Sequence, residues 1–145
     1  MKGLIQRVSQ ASVEVEGNTI GAIDQGLLVL LGVEKNDDEA RADKLLHRIT
    51  HYRIFNDDNG KMNRSLLEVG GGLLIVSQFT LVADTRKGLR PGFSGGASAG
   101  SGEALYQYFV NTARAAMSPV ACGQFGADMK IALTNDGPVT FLLET

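Results

Sequence analysis

The sequence predicts an α/β domain: a mixed sheet in two β layers with two helices on one side, in the order β-β-β-α-β-α-β-β-β. Three observations carry that expectation. Apolar and polar residues alternate near both ends of the chain, the period-two signature of strands with one wet face. The run Leu27-Leu28-Val29-Leu30-Leu31-Gly32-Val33 is apolar throughout, which suits a strand covered on both faces. Two segments repeat their apolar residues at helical spacing.

Taken in order, Ala11, Val13 and Val15 alternate with Ser12, Glu14 and Glu16 as a first strand. Gly17-Asn18 is expected to turn it, Ile20 to Ile23 to run back, and Gln25-Gly26 to turn again into the apolar run. Asn36-Asp37-Asp38 is suited to capping a helix, and Ala42, Leu45, Leu46 and Ile49 form its buried stripe. Asn56 to Met62 reads as a turn, and Gly70-Gly71-Gly72 as a break before the buried strand Leu73-Leu74-Ile75-Val76. Gly88 to Gly102 contains six glycines and Pro91, which predicts an exposed, mobile loop whose length favours function. From Ser101, the residues Leu105, Tyr108, Phe109 and Thr112 trace the second helix, which ends before Pro119. Met129 to Leu133 and Val139 to Leu143 alternate as two terminal strands, with Asn135-Asp136-Gly137-Pro138 as the hairpin between them. Two helices cannot cover both faces of so large a sheet, so the second face is expected to meet another strand layer or a partner subunit.

The chain has 145 residues, the size of one domain spanning 1–145, and 43% hydrophobic against 21% charged residues argues against disorder. One cysteine, Cys122, excludes an intramolecular disulfide and any cysteine-rich zinc site, and reads as a small buried hydrophobe. His47 and His51 lie four apart without the His-Glu-x-x-His pattern, so no metal is expected and the pair reads as an exposed helix face. The glycines at 70–72 form no nucleotide-phosphate motif, and no cofactor is expected. The polar start Met1-Lys2-Gly3-Leu4-Ile5-Gln6-Arg7 lacks a signal-peptide core and no run is long enough to span a membrane; with the lone cysteine, this predicts a cytoplasmic protein. A net charge of −2 leaves no global basic field, so nucleic-acid contact must rest on a local patch. Arg86, Lys87 and Arg90 are its densest cluster, and Arg7, Arg53, Lys61 and Arg64 are candidates to extend it.

Two segments point to chemistry. Ser77-Gln78-Phe79-Thr80-Leu81 places polar residues where an apolar strand ends, a common location for sites in α/β folds. Asn135-Asp136-Gly137-Pro138-Val139-Thr140 places a proline directly after a tight turn, and Gly137-Pro138 is a candidate cis peptide. Together they resemble the two signature motifs of the D-aminoacyl-tRNA deacylase family. Gln6-Arg7-Val8, Leu27 to Glu34, Tyr52-Arg53-Ile54-Phe55, Gly60-Lys61-Met62-Asn63 and Arg90-Pro91 fit the same family at matching spacing.

The resemblance implies a homodimer that hydrolyses the ester joining a D-amino acid to the 3′ acceptor end of tRNA, and that also acts on glycine mischarged onto alanine tRNA. It implies that Gly137-Pro138, in cis, inserts into the partner's pocket, captures the α-amino group and leaves no room for an L side chain. It further implies that Ser77, Gln78, Phe79 and Thr80 line that pocket. Two mechanisms stand open: Thr80 as nucleophile, for which no base is signalled, or a backbone oxyanion hole with water activated by the substrate's 2′-hydroxyl. Arg7, Arg86, Lys87 and Arg90 are then the candidate tRNA phosphate contacts, with neither DNA nor a membrane as partner. The alternatives are a non-catalytic module that binds the acceptor end of charged tRNA, and a hydrolase of free D-amino-acid esters.

Overall fold

Strand β1 (Lys2–Val15) organises the sheet, because fourteen residues are long enough to pair with three other strands. The computed structural model describes all residues from Met1 to Thr145. After β1 come β2 (Asn18–Ile23), β3 (Gly26–Gly32), α1 (Glu39–His51), β4 (Phe55–Asn56), β5 (Met62–Arg64) and α2 (Leu66–Val69). The chain continues through β6 (Gly72–Ser77), a 3-10 turn (Phe79–Val82), α3 (Ala99–Ala116), β7 (Val120–Cys122) and β8 (Lys130–Glu144).

The first half of β1 pairs antiparallel with β3, from Lys2 opposite Gly32 to Val8 opposite Gly26. Its second half pairs with β2, and its other edge with β8. Beyond β3 the sheet becomes parallel through β6 and β7, so it is mixed, as expected. Where β3 and β6 begin, a Cβ added to Gly26 would stand 1.9 Å from the carbonyl oxygen of Gly72, so only glycine permits this approach.

The β3 run is apolar throughout because its two faces enter different cores. Leu27, Val29 and Leu31 meet α1 and α3, whose Leu45, Ile49, Tyr106 and Phe109 are fully buried. Leu28 joins Val8, Ala11, Val13, Ile23, Leu74 and Val76 in a second cluster, formed where the sheet folds over on itself. Each large apolar side chain buried this way contributes about 1.5–3 kcal/mol. Both long helices therefore lie on one side and a second strand layer covers the other. At the sheet's end the Met1 ammonium lies 2.6 Å from buried Asp37 Oδ1 and 2.9 Å from Glu34 Oε2, tying β1 to the segment before α1.

Several local expectations are corrected. The first hairpin turns at Glu16-Gly17, both with positive φ, rather than at Gly17-Asn18, since Val15 pairs with Asn18. The expected turn between Asn56 and Met62 is the tip of a small β4–β5 hairpin. Between Asn56–Met62 and the glycines at 70–72 stands a further short helix, α2, which Ser65 and Glu68 start with a reciprocal capping box, a signal present in Ser-Leu-Leu-Glu. α3 starts at Ala99, capped by the Ser98 side chain on the Ser101 N–H, so the glycine-rich loop is shorter than expected. The largest correction is at the C-terminus. The two alternating segments are one continuous strand, β8, and Asn135-Asp136-Gly137-Pro138 is no hairpin but an interruption within it. Pairing with β1 on both sides of the interruption holds the strand in one line.

Candidate active site

Strand β6 carries its apolar residues through the core and ends at Ser77, opposite Leu31. The Gln78 N–H donates to the Leu31 oxygen at 2.8 Å, and the chain then tightens into the 3-10 turn. The first N–H groups of a helix lack internal acceptors. Leu81 N–H reaches back to the Gln78 oxygen, which leaves the Phe79 and Thr80 N–H groups without an acceptor in the turn.

Beside this turn opens a cavity of about 480 Å³. Ser77, Gln78 and Phe79 form one wall; Ala97 and Ser98 lead into α3 at another; Phe125 to Met129 close the third. Its titratable lining residues are Tyr106 and Asp128. The Tyr106 hydroxyl is buried 2.9 Å from the Ile75 oxygen and 3.2 Å from the Gly123 oxygen, and burial pushes its pKa well above that of an ordinary tyrosine. Asp128 is solvated and paired with Lys130 at 3.1 Å. Thr80 is exposed, and its hydroxyl accepts a hydrogen bond from the Gln78 amide, with no imidazole, carboxylate or amine bonded to it. Phe79 is 67% exposed, and its ring lies 5.2 Å from that of Phe93.

The second motif sits elsewhere. Gln6 pairs with Thr140 and Val8 with Asn135, so the single residue Arg7 faces the four residues 136–139. Gly137-Pro138 is cis, and Gly137 has φ +146°, where a Cβ would meet Val139 Cγ2 at 2.6 Å. The Asn135 side chain closes the bulge, accepting from the Val139 N–H at 2.6 Å and donating to Thr140 Oγ1 at 2.9 Å. Sheet geometry separates the two motifs. Ser77 aligns with Leu31 and Gly3, four residues along β1 from Arg7, while the bulge lies three strands away from β6. Ser77, Gln78 and Phe79 share the cavity, Thr80 stands next to it in the same turn, and Gly137-Pro138 does not line it.

The basic residues divide. Arg7 is only 9% exposed, donating from Nε to the Asp136 oxygen at 2.8 Å and from Nη1 to the Ile54 oxygen at 2.7 Å. It differs from the expected phosphate contact: its guanidinium faces the protein interior and holds the bulge. Arg86 forms a two-point pair with Asp84, which holds that carboxyl well below the usual carboxylate range. Arg53 is bonded to Asn63 and Arg64 to Asp58, whereas Lys87 and Arg90 project without an ion pair. The His47 and His51 rings stack 4.0 Å apart on the exposed face of α1. Cys122 is half-buried, with Arg114 Nη2 3.3 Å from its sulfur, a neighbour brought by α3 that sequence proximity does not reveal.

This arrangement places two backbone N–H groups without an acceptor in the turn beside a mainly apolar cavity, whose one carboxylate, Asp128, is paired with Lys130. Comparison with known proteins agrees with the motifs. A protein described as "D-aminoacyl-tRNA deacylase" from Stutzerimonas stutzeri (strain A1501) is 66% identical over 145 residues, covering all of both chains. One of the same description from Aeromonas hydrophila subsp. hydrophila is 66% identical over 144 residues, 99% of each. Among solved structures, one titled "c-Myc DNA Unwinding Element Binding Protein" superposes with a TM-score of 0.95 at 37% identity, covering 100% of this chain and 99% of that one. A probable eukaryotic D-amino acid tRNA deacylase shares the fold, with a TM-score of 0.86 at 18% identity and coverage of 99% and 98%. The model of the family described as "D-Tyr-tRNA(Tyr) deacylase" matches residues 4–144, and with these relatives it shows that the chain belongs to that family.

Proposed function

We propose that this protein hydrolyses the ester of D-aminoacyl-tRNA, and of glycine mischarged onto alanine tRNA, releasing free tRNA and the amino acid. The observation that carries the reading is the pair of uncommitted N–H groups of Phe79, at the wall of the cavity with Ser77 and Gln78, and of Thr80, next to it in the same turn. Donors aimed at a developing oxyanion stabilise the tetrahedral intermediate of acyl transfer, and losing one costs about 10²–10³ in rate. Thr80 is not the nucleophile, because its hydroxyl is bonded to an amide that cannot take its proton. The substrate's 2′-hydroxyl positions and activates the attacking water. The ester C–O bond breaks, the 3′-oxygen leaves with a proton, and the carboxyl group departs with the amino acid.

Chirality is read by a rigid backbone element from a second copy. Within one chain the Gly137-Pro138 bulge does not line the cavity that Ser77, Gln78 and Phe79 share. In a homodimer the bulge of one protomer enters the cavity of the other, its carbonyls take the α-ammonium, and an L side chain is excluded by contact. Specificity then rests on repulsion and tolerates many D side chains. The protein works as a single domain, 1–145, in the cytoplasm without a cofactor; no helix is long and apolar enough to cross a membrane.

The test incubates the protein and a chelator with D-tyrosyl-tRNA and L-tyrosyl-tRNA and follows release of the amino acid. Release from the D-ester alone is expected. Binding without release favours a binding module, and equal rates on D-esters lacking RNA favour a general esterase. Duplex DNA is added as a competitor because of the similar chain titled for DNA binding. Thr80→Ala is expected to retain turnover; its abolition with binding intact restores Thr80 as nucleophile.

A further inference from the structure

The loop between the 3-10 turn and α3 starts and ends at the cavity. It leaves from Phe79–Val82, and it returns through Ala97 and Ser98, which line the same space. Its base is closed by two backbone hydrogen bonds, Asp84 N–H to the Gly92 oxygen at 2.7 Å and Gly92 N–H to the Asp84 oxygen at 2.9 Å. Behind that closure, Lys35 N–H donates to the Gly95 oxygen and Ala97 N–H to the Val33 oxygen, pinning the loop to the end of β3. The Phe79–Phe93 ring contact ties it to the wall of the cavity. The expected mobile segment is instead a finger on a fixed base. Each arm from base to apex is four residues, a reach of up to roughly 13 Å.

The chemistry of the tip is specific. Residues 84–92 carry three cations and one carboxylate in a chain of net charge −2. Asp84 engages Arg86 through Nε and Nη2, both at 2.8 Å, and also accepts its N–H at 3.1 Å. Arg86 is thereby a brace within the loop, and Lys87 and Arg90 are its free cations. Between them stands Leu89, wholly exposed, after Gly88 with φ +68°. A lone apolar apex flanked by two unpaired cations suits a partner that offers phosphates on either side of a flat apolar edge. The end of a nucleic-acid duplex has that form: backbone phosphates beside the face of the last base pair.

Building on the deacylase reading above, we propose that the 84–92 finger recognises the paired end of the tRNA acceptor stem, Lys87 and Arg90 holding backbone phosphates and Leu89 packing on the terminal base pair. The unpaired 3′ nucleotides then cross from the finger to the cavity. The finger accounts for how a near-neutral protein selects RNA: two placed cations act locally, and no general field holds the product after hydrolysis.

The experiment compares two D-tyrosyl esters, full tRNA and a stemless oligonucleotide ending in the same unpaired nucleotides, for wild type, Lys87→Gln/Arg90→Gln, Leu89→Ser and Arg86→Gln. Equilibrium binding of uncharged tRNA is followed against salt in parallel. For the double variant, the preference in kcat/KM for tRNA over the stemless ester is expected to fall about 10-fold. The log–log salt slope of tRNA binding is expected to become shallower by about 2. Leu89→Ser is expected to lower the preference while keeping the slope, and Arg86→Gln to change the slope less than the loss of one free cation. An unchanged preference in the double variant, or an equal loss on both esters, overturns the proposal. Competition by duplex DNA as strong as by tRNA also overturns it. Wild-type release from both esters at equal efficiency defeats the finger and leaves the deacylase reading standing, whereas no release from either defeats the deacylase reading itself. All four side chains project from the surface, so thermal midpoints close to wild type are expected and certify that the variants fold.

Discussion

Replacing Arg7 tests whether the bulge in β8 is held by that one side chain. The guanidinium makes two charge-assisted hydrogen bonds to carbonyls, Asp136 at 2.8 Å and Ile54 at 2.7 Å, with 9% of the residue exposed. Arg7→Met keeps the aliphatic stem and deletes both bonds, leaving two acceptors with reduced access to water. Hydrogen bonds to charged groups contribute about 1.5–3 kcal/mol each, and an orphaned buried acceptor costs about 1–3. Solvation of the Asp136 carbonyl, which is only partly buried, lowers the total. The expected loss is about 3–4 kcal/mol, a large share of the roughly 5–15 available to a domain. Arg7→Lys can keep one bond and is expected to lose about half as much. Equilibrium urea unfolding measures both variants, and the order wild type, Lys, Met is the signature of a two-point brace. In both, release of D-amino acid from tRNA is expected to fall further than stability explains under conditions where each is folded, because the bulge loses its position. Lys and Met variants of equal stability, or a Met variant within about 1 kcal/mol of wild type, would refute the reasoning.

Three further outcomes follow from the same geometry. Gly137→Ala places a methyl 2.6 Å from Val139 Cγ2 at φ +146° and is expected to abolish deacylation while the far-ultraviolet circular dichroism spectrum persists; full activity would count against the wedge. Asp37→Asn leaves the buried Met1 ammonium with weaker compensation and is expected to cost about 3 kcal/mol by chemical denaturation, against less than about 1 for exposed Asp58→Asn. Tyr106 has a raised pKa in the fold, so its contribution is fully present below the unfolded value near 10 and is lost as pH rises beyond it. Stability measured across alkaline pH is expected to fall more steeply above about 10 in wild type than in Tyr106→Phe.

Much of the architecture is legible in the sequence. Alternation, the Leu27–Val33 run and the Ala42–Ile49 stripe are consequences of period and burial, and these act within a few residues. The end of strand β6 at Ser77 was legible for the same reason: an apolar strand that turns polar has reached an edge. Helix α2 was equally present, in the Ser65–Glu68 capping box. The continuity of β8 was different in kind. Asp-Gly-Pro says locally that the chain turns, and only the β1 register, pairing Gln6 with Thr140 and Val8 with Asn135, keeps it straight.

The sequence by itself determined most of the segments that form strands and helices, and its two histidines and one cysteine limit the side-chain catalytic constellations available. It also carried both motifs intact. Tertiary structure alone decided the fate of Arg7, which looks like Lys87 and Arg90 in one dimension yet is claimed by the carbonyls of Asp136 and Ile54, whereas Arg86 is claimed by Asp84 only two residues away. It likewise decided that Gly137-Pro138 does not line the cavity that Ser77, Gln78 and Phe79 share. The physical reason is range: propensity and periodicity act between near neighbours, whereas the bond from Arg7 to the Asp136 oxygen joins residues 129 positions apart.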